Sequence, residues 1–151
     1  MGAYSSIINS SAVKKGIPPN ILTAVLQQES GLNPNAKRTN TNGSIDRGIA
    51  QINNVAHPDV SNAQAYNPNY AIPWAANYLS NLKNKYGSWD AALQAYNSGS
   101  PTGSPQYAAN VLALAGTTAG TTAGTTGTTN WLEVGTIVFA LVLIIIAIMR
   151  V

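Results

Sequence analysis

The chain has 151 residues and a formal net charge of +3, and only 9% of its residues are charged, so its polar surface must come mostly from uncharged side chains. It contains no cysteine, which excludes disulfides and thiolate metal sites, and its single histidine, His57, has no second ligand at metal-binding spacing. We therefore expect no metal and no cofactor. The positive charge is too small and too dispersed for a nucleic-acid-binding protein, so we also expect no nucleic acid partner.

Composition divides the chain into three zones. Residues 1–114 have the composition and helical periodicity of a globular domain, and they are long enough to bury one core. Residues 115–130 form a Gly/Thr/Ala-rich segment that reads GTTAGTTAGTTGTT at 116–129. Because this segment has no large apolar side chain, it cannot bury a core, and it predicts a flexible linker.

The last zone, residues 131–151, predicts a membrane anchor. Residues 131–149 read WLEVGTIVFALVLIIIAIM and carry no charge after Glu133. As a helix they would span about 28 Å, close to the hydrocarbon thickness of a lipid membrane. We favour one C-terminal transmembrane helix over a buried core helix because the linker separates this segment from the globular zone.

Apolar spacing predicts that the globular zone is mainly helical. A first short helix is indicated by four apolar residues, Ile7, Ile8, Val13 and Ile17. A second helix begins at Pro19 or Asn20 and ends at Ser30, where Gly31 stops it.

Further along the chain, the polar stretch 37–47 contains Asn42-Gly43, which predicts a turn or hairpin. A long helix follows from about Asn69 to Tyr86 and ends at Gly87. The last two helices of the globular zone are predicted at Trp89–Tyr96 and Tyr107–Leu114.

Glu29 is the first candidate for chemistry. It follows Leu22, Val25 and Leu26 at intervals of three and four, so it shares the apolar face of the second helix. Burial and the negative end of the helix dipole both raise the pKa of a carboxyl group in this position. The group would stay protonated near neutral pH, as a general acid requires. The alternative is a glutamate that merely frays into solvent at the helix end.

Four short motifs occur in order: Glu29-Ser30-Gly31, Asn33-Pro34-Asn35-Ala36, GIAQIN at 48–53 and AYNSG at 95–99. Together they resemble the lytic transglycosylase family of the soluble-lytic-transglycosylase type over about residues 15–112. The resemblance implies a lysozyme-like fold, mainly α with a small β part (α+β).

The resemblance also implies roles for individual residues. Glu29 would be the single acid/base that cleaves the bond between N-acetylmuramic acid and N-acetylglucosamine in peptidoglycan, and the product would be a 1,6-anhydro sugar. Gln51 and Asn97 would hydrogen-bond the sugars or their N-acetyl groups, and Tyr96 would line the cleft beside Glu29. The substrate-binding set implied is Ser30, Gln51, Asn53, Tyr96 and Asn97. For Trp74, Trp89 and the other tyrosines, helical spacing favours core packing over stacking on sugar rings.

One loop departs from the usual family pattern. The stretch NGSIDRGIAQIN at 42–53 resembles the specialised, secretion-system transglycosylases, and it also resembles a stretch of animal lysozymes that has an aspartate at the position of Asp46. Asp46 could therefore be a second carboxylate, and a retaining hydrolase needs two carboxyl groups about 5 Å apart. The alternative is a turn residue bonded to its own backbone or paired with Arg38 or Arg47.

Three functions remain open at this point. The first is a membrane-anchored peptidoglycan lytic transglycosylase, the second is a muramidase that uses Glu29 with Asp46, and the third is a non-catalytic cell-wall-binding membrane protein. The anchor would place the enzyme in a phage virion membrane, for genome entry, or in a bacterial envelope with the domain facing the cell wall. Virion or envelope proteins would then be further partners.

Overall fold

The computed structural model of the protein describes residues 2–120. This part of the chain is mainly helical and has one small antiparallel sheet, in agreement with the expected α+β class. Its elements in chain order are α1 Ser5–Lys14, α2 Pro19–Ser30, β1 Lys37–Thr39, β2 Ile45–Arg47, β3 Ile52–Asn53, α3 Asn62–Ala65, α4 Pro68–Tyr86, α5 Trp89–Ser98 and α6 Pro105–Gly120.

The ends of helix α2 follow from its sequence. Pro19 occupies the first turn, where a missing N–H costs nothing. At the other end Gly31 adopts a left-handed conformation with φ 63°, and its N–H donates to the Gln27 carbonyl at 2.9 Å. The helix therefore stops directly after Glu29 and Ser30, at the edge of the cleft described below.

The polar stretch 37–47 is a hairpin, as Asn42-Gly43 predicts. Strands β1 and β2 pair antiparallel, with Arg38 opposite Asp46, and the Asn40 N–H donates to the Ser44 carbonyl at 2.8 Å. Strand β3 pairs with β2 and completes the sheet in the order β1-β2-β3. Neither β3 nor the short helix α3 was predicted, because each is shorter than the windows in which periodicity is visible.

The core surrounds helix α2. Leu22, Val25 and Leu26 are fully buried on the apolar face that the sequence predicts. Helix α6 packs along α2 and contributes Val111, which is also fully buried. Burial of each such aliphatic side chain contributes about 1.5–3 kcal/mol to folding, so the position of Glu29 is fixed by a well-packed helix.

Helices α2 and α6 run antiparallel. The Tyr107 hydroxyl, in the first turns of α6, donates to the Glu29 carboxyl in the last turn of α2. At the other end of the pair, the Asn20 side-chain amide donates to the Ala115 carbonyl at 3.2 Å. The cleft end of α2 is therefore the end where α6 begins.

The predicted tail lies mostly outside the described residues. Helix α6 continues to Gly120, past the helix end predicted at Leu114 and into the segment 115–130. Within residues 2–120, no helix is both long enough and apolar enough to cross a bilayer. The segment 131–149, predicted to be a transmembrane anchor, is not among the described residues, so the anchor stays a prediction.

Candidate active site

A cleft of about 800 Å³ lies where the end of α2, the β1–β2 hairpin, the loop after β3 and helices α4 and α5 meet. Its lining includes most of the residues proposed from sequence motifs, although these are spread over seventy positions of the chain. The predicted site residues in its wall are Glu29, Asp46, Gln51, Asn53, Tyr96 and Asn97. Ser30 is the predicted site residue that does not line it.

Glu29 lies half-buried in the wall of this cleft. Burial of the carboxyl group raises the pKa of Glu29 from 4.5 to about 7. A hydrogen bond from Tyr107 acts in the opposite direction, the negative charge of Asp46 raises the pKa further, and the positive charge of Arg38 lowers it. Because the pKa is close to neutral, Glu29 can both donate and accept a proton at physiological pH.

Tyr107 holds Glu29 in place and was not among the predicted site residues. Its hydroxyl donates a 2.5 Å hydrogen bond to Oε1 of Glu29, and the side chain is only 9% exposed. Burial and the negative charge of Glu29 raise the pKa of Tyr107, so the hydroxyl remains a donor. The one sequence signal is that a tyrosine on an apolar helix face must find a partner for its hydroxyl.

Tyr96 forms the wall next to Glu29. Its hydroxyl donates to the Ala50 carbonyl at 3.2 Å, which ties helix α5 to the GIAQIN loop. Burial raises the pKa of Tyr96 well above its usual value, and the charge of Glu29 is the second cause. Tyr96 therefore presents its ring rather than a free hydroxyl to the cleft.

Ser30 forms hydrogen bonds within the protein at the end of α2. Its hydroxyl donates a hydrogen bond to the Ile49 carbonyl at 2.8 Å and accepts one from the Asn33 N–H at 3.1 Å. These bonds connect the end of α2 to the GIAQIN loop. This position supports a helix-end contact rather than the substrate contact that the resemblance implies for Ser30.

Gln51 is fixed by the backbone around it. Its side-chain N–H₂ donates to the Gly48 carbonyl at 2.8 Å and to the Ala36 carbonyl at 3.3 Å. Both amide hydrogens are therefore used, and the carbonyl oxygen is the group left for a ligand. The residue three positions before Gln51, Gly48, must be a glycine because a Cβ atom there would overlap the backbone carbonyl of Ala65.

Asp46 is held by two neutral amides. Its Oδ1 accepts from the Asn53 side chain at 2.7 Å, and its Oδ2 accepts from Asn40 at 3.0 Å. Within the described residues it bonds neither its own backbone nor Arg38 or Arg47, so the turn and ion-pair interpretations do not describe its contacts. The two amides hold the Asp46 carboxylate in one orientation in the cleft.

Asn53 and Asn97, both predicted to bind substrate, differ in whether their side-chain atoms already have hydrogen-bond partners among the described residues. The Asn53 amide group donates to Asp46 and Ser44, and its oxygen accepts from the backbone N–H groups of residues 55 and 56, so it is saturated by the protein. The Asn97 oxygen accepts from the Ser104 hydroxyl at 2.7 Å. Its N–H₂ has no partner in the described part of the chain and is available to a ligand.

Aromatic side chains from two elements complete the cleft wall. His57, in the loop after β3, and Trp74 and Tyr78, on α4, all line it. Trp89 does not, because it packs against the core with the Lys83 ammonium group 5.7 Å from its ring centre. The expectation of core packing therefore holds for Trp89 but only in part for Trp74. Among residues 2–120, no group of three potential metal ligands lies together.

Comparison with known proteins places this fold and cleft in a family. The sequence pattern of the transglycosylase SLT domain matches residues 6–109. The chain belongs to the SLT transglycosylase domain family. This match confirms the family, and with it the lysozyme-like fold, that the four ordered motifs predicted.

Two curated relatives match part of this chain. Protein IpgF of Shigella flexneri is 36% identical over 90 residues, which cover 55% of this chain and 59% of IpgF. Protein IpgF of Shigella sonnei matches with the same identity and coverage. The chain thus spans less than two thirds of the length of these relatives.

Proposed function

We propose that the protein is a peptidoglycan lytic transglycosylase in which Glu29 alone serves as acid and base. The observation that carries this proposal is the Glu29 carboxyl group, which has a pKa of about 7 and receives a hydrogen bond from buried Tyr107 in the wall of a large cleft. The bond proposed to be cleaved is the β-1,4 bond between N-acetylmuramic acid and N-acetylglucosamine.

The reaction needs two proton transfers, and the Glu29 carboxyl group carries out both. In the first, protonated Glu29 gives its proton to the glycosidic oxygen, the bond to C1 of the N-acetylmuramic acid breaks, and the N-acetylglucosamine leaves with a free 4-hydroxyl group. In the second, the Glu29 carboxylate takes the proton from the C6 hydroxyl of the same N-acetylmuramic acid, whose oxygen then closes on C1. The product is a 1,6-anhydro sugar, no water is consumed, and Glu29 ends protonated again.

A pKa near 7 serves both transfers, since a group with a pKa close to the working pH is neither too weak an acid nor too weak a base. The Tyr107 hydroxyl stabilises Glu29 in its charged form after the first transfer, because hydrogen bonds to a charged group contribute about 1.5–3 kcal/mol. The Asn97 N–H₂ group and the Gln51 side-chain oxygen, which have no hydrogen-bond partner within residues 2–120, offer a donor and an acceptor to the sugar substituents.

Asp46 supports a second candidate, a muramidase that cleaves the same bond with water. Its carboxylate lines the same cleft, and its charge acts on Glu29. Asn40 and Asn53 each donate to one of its oxygens, however, and these hydrogen bonds make the carboxylate a weaker nucleophile than an unbonded one. We therefore rank this candidate second, and a non-catalytic wall-binding protein third, since wall binding alone would not need a buried carboxyl group with a raised pKa such as that of Glu29.

The decisive experiment is to digest purified peptidoglycan with the full chain and weigh the products. Sugar ends lighter by one water are expected, whereas ordinary reducing ends would establish the hydrolase. Glu29→Gln should abolish cleavage and retain the Tyr107 contact. Asp46→Asn should retain most of the activity of a transglycosylase and lose most of the activity of a hydrolase.

The sequence of the tail supports a further part of the proposal, a membrane-tethered enzyme. Residues 131–149 would anchor the domain through the linker 115–130, so that it opens the wall locally, either from a phage virion membrane or from a bacterial envelope. Protease treatment of sealed vesicles that carry the full chain tests this arrangement. Cleavage in the linker should release the domain from the vesicles, and release without any protease would contradict the anchor.

A further inference from the structure

One end of the domain is formed by the turn between α1 and α2, the first turn of α2 and the Ala115 end of α6. Asn20, in the first turn of α2, donates to the Ala115 carbonyl at 3.2 Å. Lys15, in the turn after α1, is held on α4, because its backbone carbonyl accepts from the Ser80 hydroxyl at 2.9 Å. We call the region of Lys15, Asn20 and Ala115 the exit end, since the chain continues from it toward the predicted anchor.

The segments that form the exit end carry positive charge alone. Residues 2–28 contain two charged side chains, Lys14 and Lys15, and α6 contains none. Helix α4, whose Ser80 contacts this turn, has no acidic residue. A surface with this charge attracts anionic partners.

The acidic side chains of residues 2–120 lie away from the exit end. Glu29 and Asp46 line the cleft. The charge of Asp59 acts on His57, which lines the cleft as well. Asp90 accepts a hydrogen bond within α5. The negative charge of the domain is therefore gathered at the cleft and on α5, and it does not oppose an anion at the exit end.

A groove of about 300 Å³ lies beside the exit end. Residues of α1, the turn after it and α4 line this groove, namely Ile7, Ser10, Ser11, Lys14, Lys15 and Pro73. The Lys14 ammonium group is exposed and has no hydrogen-bond or ion-pair partner within residues 2–120. The Lys15 ammonium group donates to the Asn77 side chain at 2.6 Å, which leaves two of its three hydrogens for a ligand. Two ammonium groups beside hydroxyl groups suit a phosphate group.

Exposed apolar side chains accompany the two lysines. Val13, next to Lys14, is 72% exposed, and Leu112, one helical turn before Ala115 on α6, is 39% exposed. Apolar side chains beside lysines are typical of surfaces that lie on a bilayer, because the apolar groups enter the interface while the ammonium groups contact lipid phosphates. The exit end thus has the chemistry of a lipid surface contact.

We propose that the exit end contacts a membrane surface and that the groove beside it binds the phosphate headgroup of an anionic phospholipid through Lys14 and Lys15. The proposal rests on the membrane tether of the proposed function and extends it, because the domain would lie against the bilayer instead of moving freely on its linker. Each lysine close to an anionic membrane strengthens binding about fivefold. The attraction needs close contact, since charges are screened beyond about 8 Å at physiological salt.

The test uses a fluorophore at one defined position. Because the chain contains no cysteine, an environment-sensitive dye can be attached to the full chain at Val13→Cys alone. Val55→Cys is the matched control, since Val55 is 67% exposed but lines the cleft. With phosphatidylcholine vesicles that contain phosphatidylglycerol, the emission at position 13 should shift to the blue, and high salt should reverse the shift. Neutral vesicles should give no shift at position 13, and neither kind of vesicle should shift the emission at position 55. An unshifted dye at position 13, or equal shifts at the two positions, would overturn the proposal.

A charge series tests the lysines. In the Val13→Cys chain, Lys14→Gln should weaken the contact about fivefold and Lys14→Glu about 25-fold, measured from the ratio of shifted to unshifted emission. Lys37→Glu on β1 changes the net charge equally but lies outside the groove, so it should retain the contact. Equal losses in Lys14→Glu and Lys37→Glu would mean that net charge alone attracts the chain, and they would overturn the groove as the binding site.

Two controls distinguish other occupants. Soluble glycerol phosphate in place of vesicles should give no shift at position 13, and neither should the protein alone at increasing concentration. A shift in the first case would assign the groove to a free phosphate, a shift in the second would assign the surface to another copy of the chain, and each would overturn the proposal.

The outcome is separate from that of the proposed function. The mass of the peptidoglycan products decides the catalytic activity, and flotation of the chain with vesicles decides the tether. A chain that cleaves peptidoglycan and floats with vesicles, but whose dye at position 13 never shifts, would retain the proposed function and lose the membrane contact.

Discussion

Replacement of Tyr107 by phenylalanine tests how the protein tunes Glu29. The change removes the hydroxyl that donates to the Glu29 carboxyl at 2.5 Å and leaves the buried ring in place. This hydrogen bond lowers the pKa of Glu29, against the larger effect of burial. A hydrogen bond to a charged group contributes about 1.5–3 kcal/mol, so its loss should raise the pKa of Glu29 from about 7 to about 8 or 9.

The assay is the pH dependence of kcat/KM on soluble glycan strands. The first proton transfer needs protonated Glu29, so activity falls as the pH rises through its pKa. In Tyr107→Phe this alkaline limb should move upward by about one to two pH units. The rate at the optimum should fall about 10- to 100-fold, since the charged form of Glu29 has lost its donor.

The matched control is Tyr96→Phe. The Tyr96 hydroxyl donates to the Ala50 carbonyl rather than to Glu29, so its loss should leave the alkaline limb in place even if the rate changes. An alkaline limb that is unchanged in Tyr107→Phe, or that moves to lower pH, would refute the assignment of Glu29 as the acid that Tyr107 stabilises in its charged form.

Two further predictions concern stability. Folded Glu29 has a higher pKa than the unfolded chain, so it binds more protons when folded and its effect on the free energy of unfolding becomes unfavourable as the pH rises from 4.5 to about 7. Above pH 7, Glu29→Gln should therefore stabilise the protein by up to about 3 kcal/mol, whereas below pH 4 it should not. Thermal melts of both proteins at pH 4 and pH 8 measure this difference. Equal shifts in Tm at the two pH values would contradict the burial of this carboxyl group. Gly48→Ala should lower the free energy of unfolding by more than Gly16→Ala, since both glycines have positive φ but only at Gly48 would the new methyl group overlap a backbone carbonyl. Urea titration should give a loss of about 1 kcal/mol for the Gly16 control, and an equally small loss at Gly48 would contradict the close approach.

The position of Glu29 and the hairpin beside it could be predicted from local sequence. The spacing of Leu22, Val25, Leu26 and Glu29 predicts the buried face, and Gly31 predicts where the helix ends. Such signals lie within one element, where the 3.6-residue period fixes which side chains share a face. The hairpin at Asn42-Gly43 is predictable for the same reason, because the turn needs those residue types.

Contacts between distant elements could not be predicted in this way. Tyr107 is 78 positions from Glu29, and only the antiparallel packing of α2 and α6 brings them together. His57 lies in a loop, and nothing in the neighbouring sequence indicates that it packs against two rings of α4. One of the two interpretations of Asp46 placed it in a turn or an ion pair, whereas its partners Asn40 and Asn53 belong to the hairpin turn and to a strand too short to predict.

The antiparallel pairing of α2 and α6 has a consequence for how far from a membrane the enzyme could cut. Chain leaves the domain at the Ala115 end of α6, beside Asn20, whereas Glu29 lies at the other end of α2. At 1.5 Å per residue, the nine residues between Asn20 and Glu29 separate the exit point from the acid by about 14 Å. Under the proposed anchor, the acid would therefore lie at the end of α2 away from the point where the chain continues toward residues 131–149. The length of α2 would then contribute to the distance between the membrane and the bond that Glu29 cleaves.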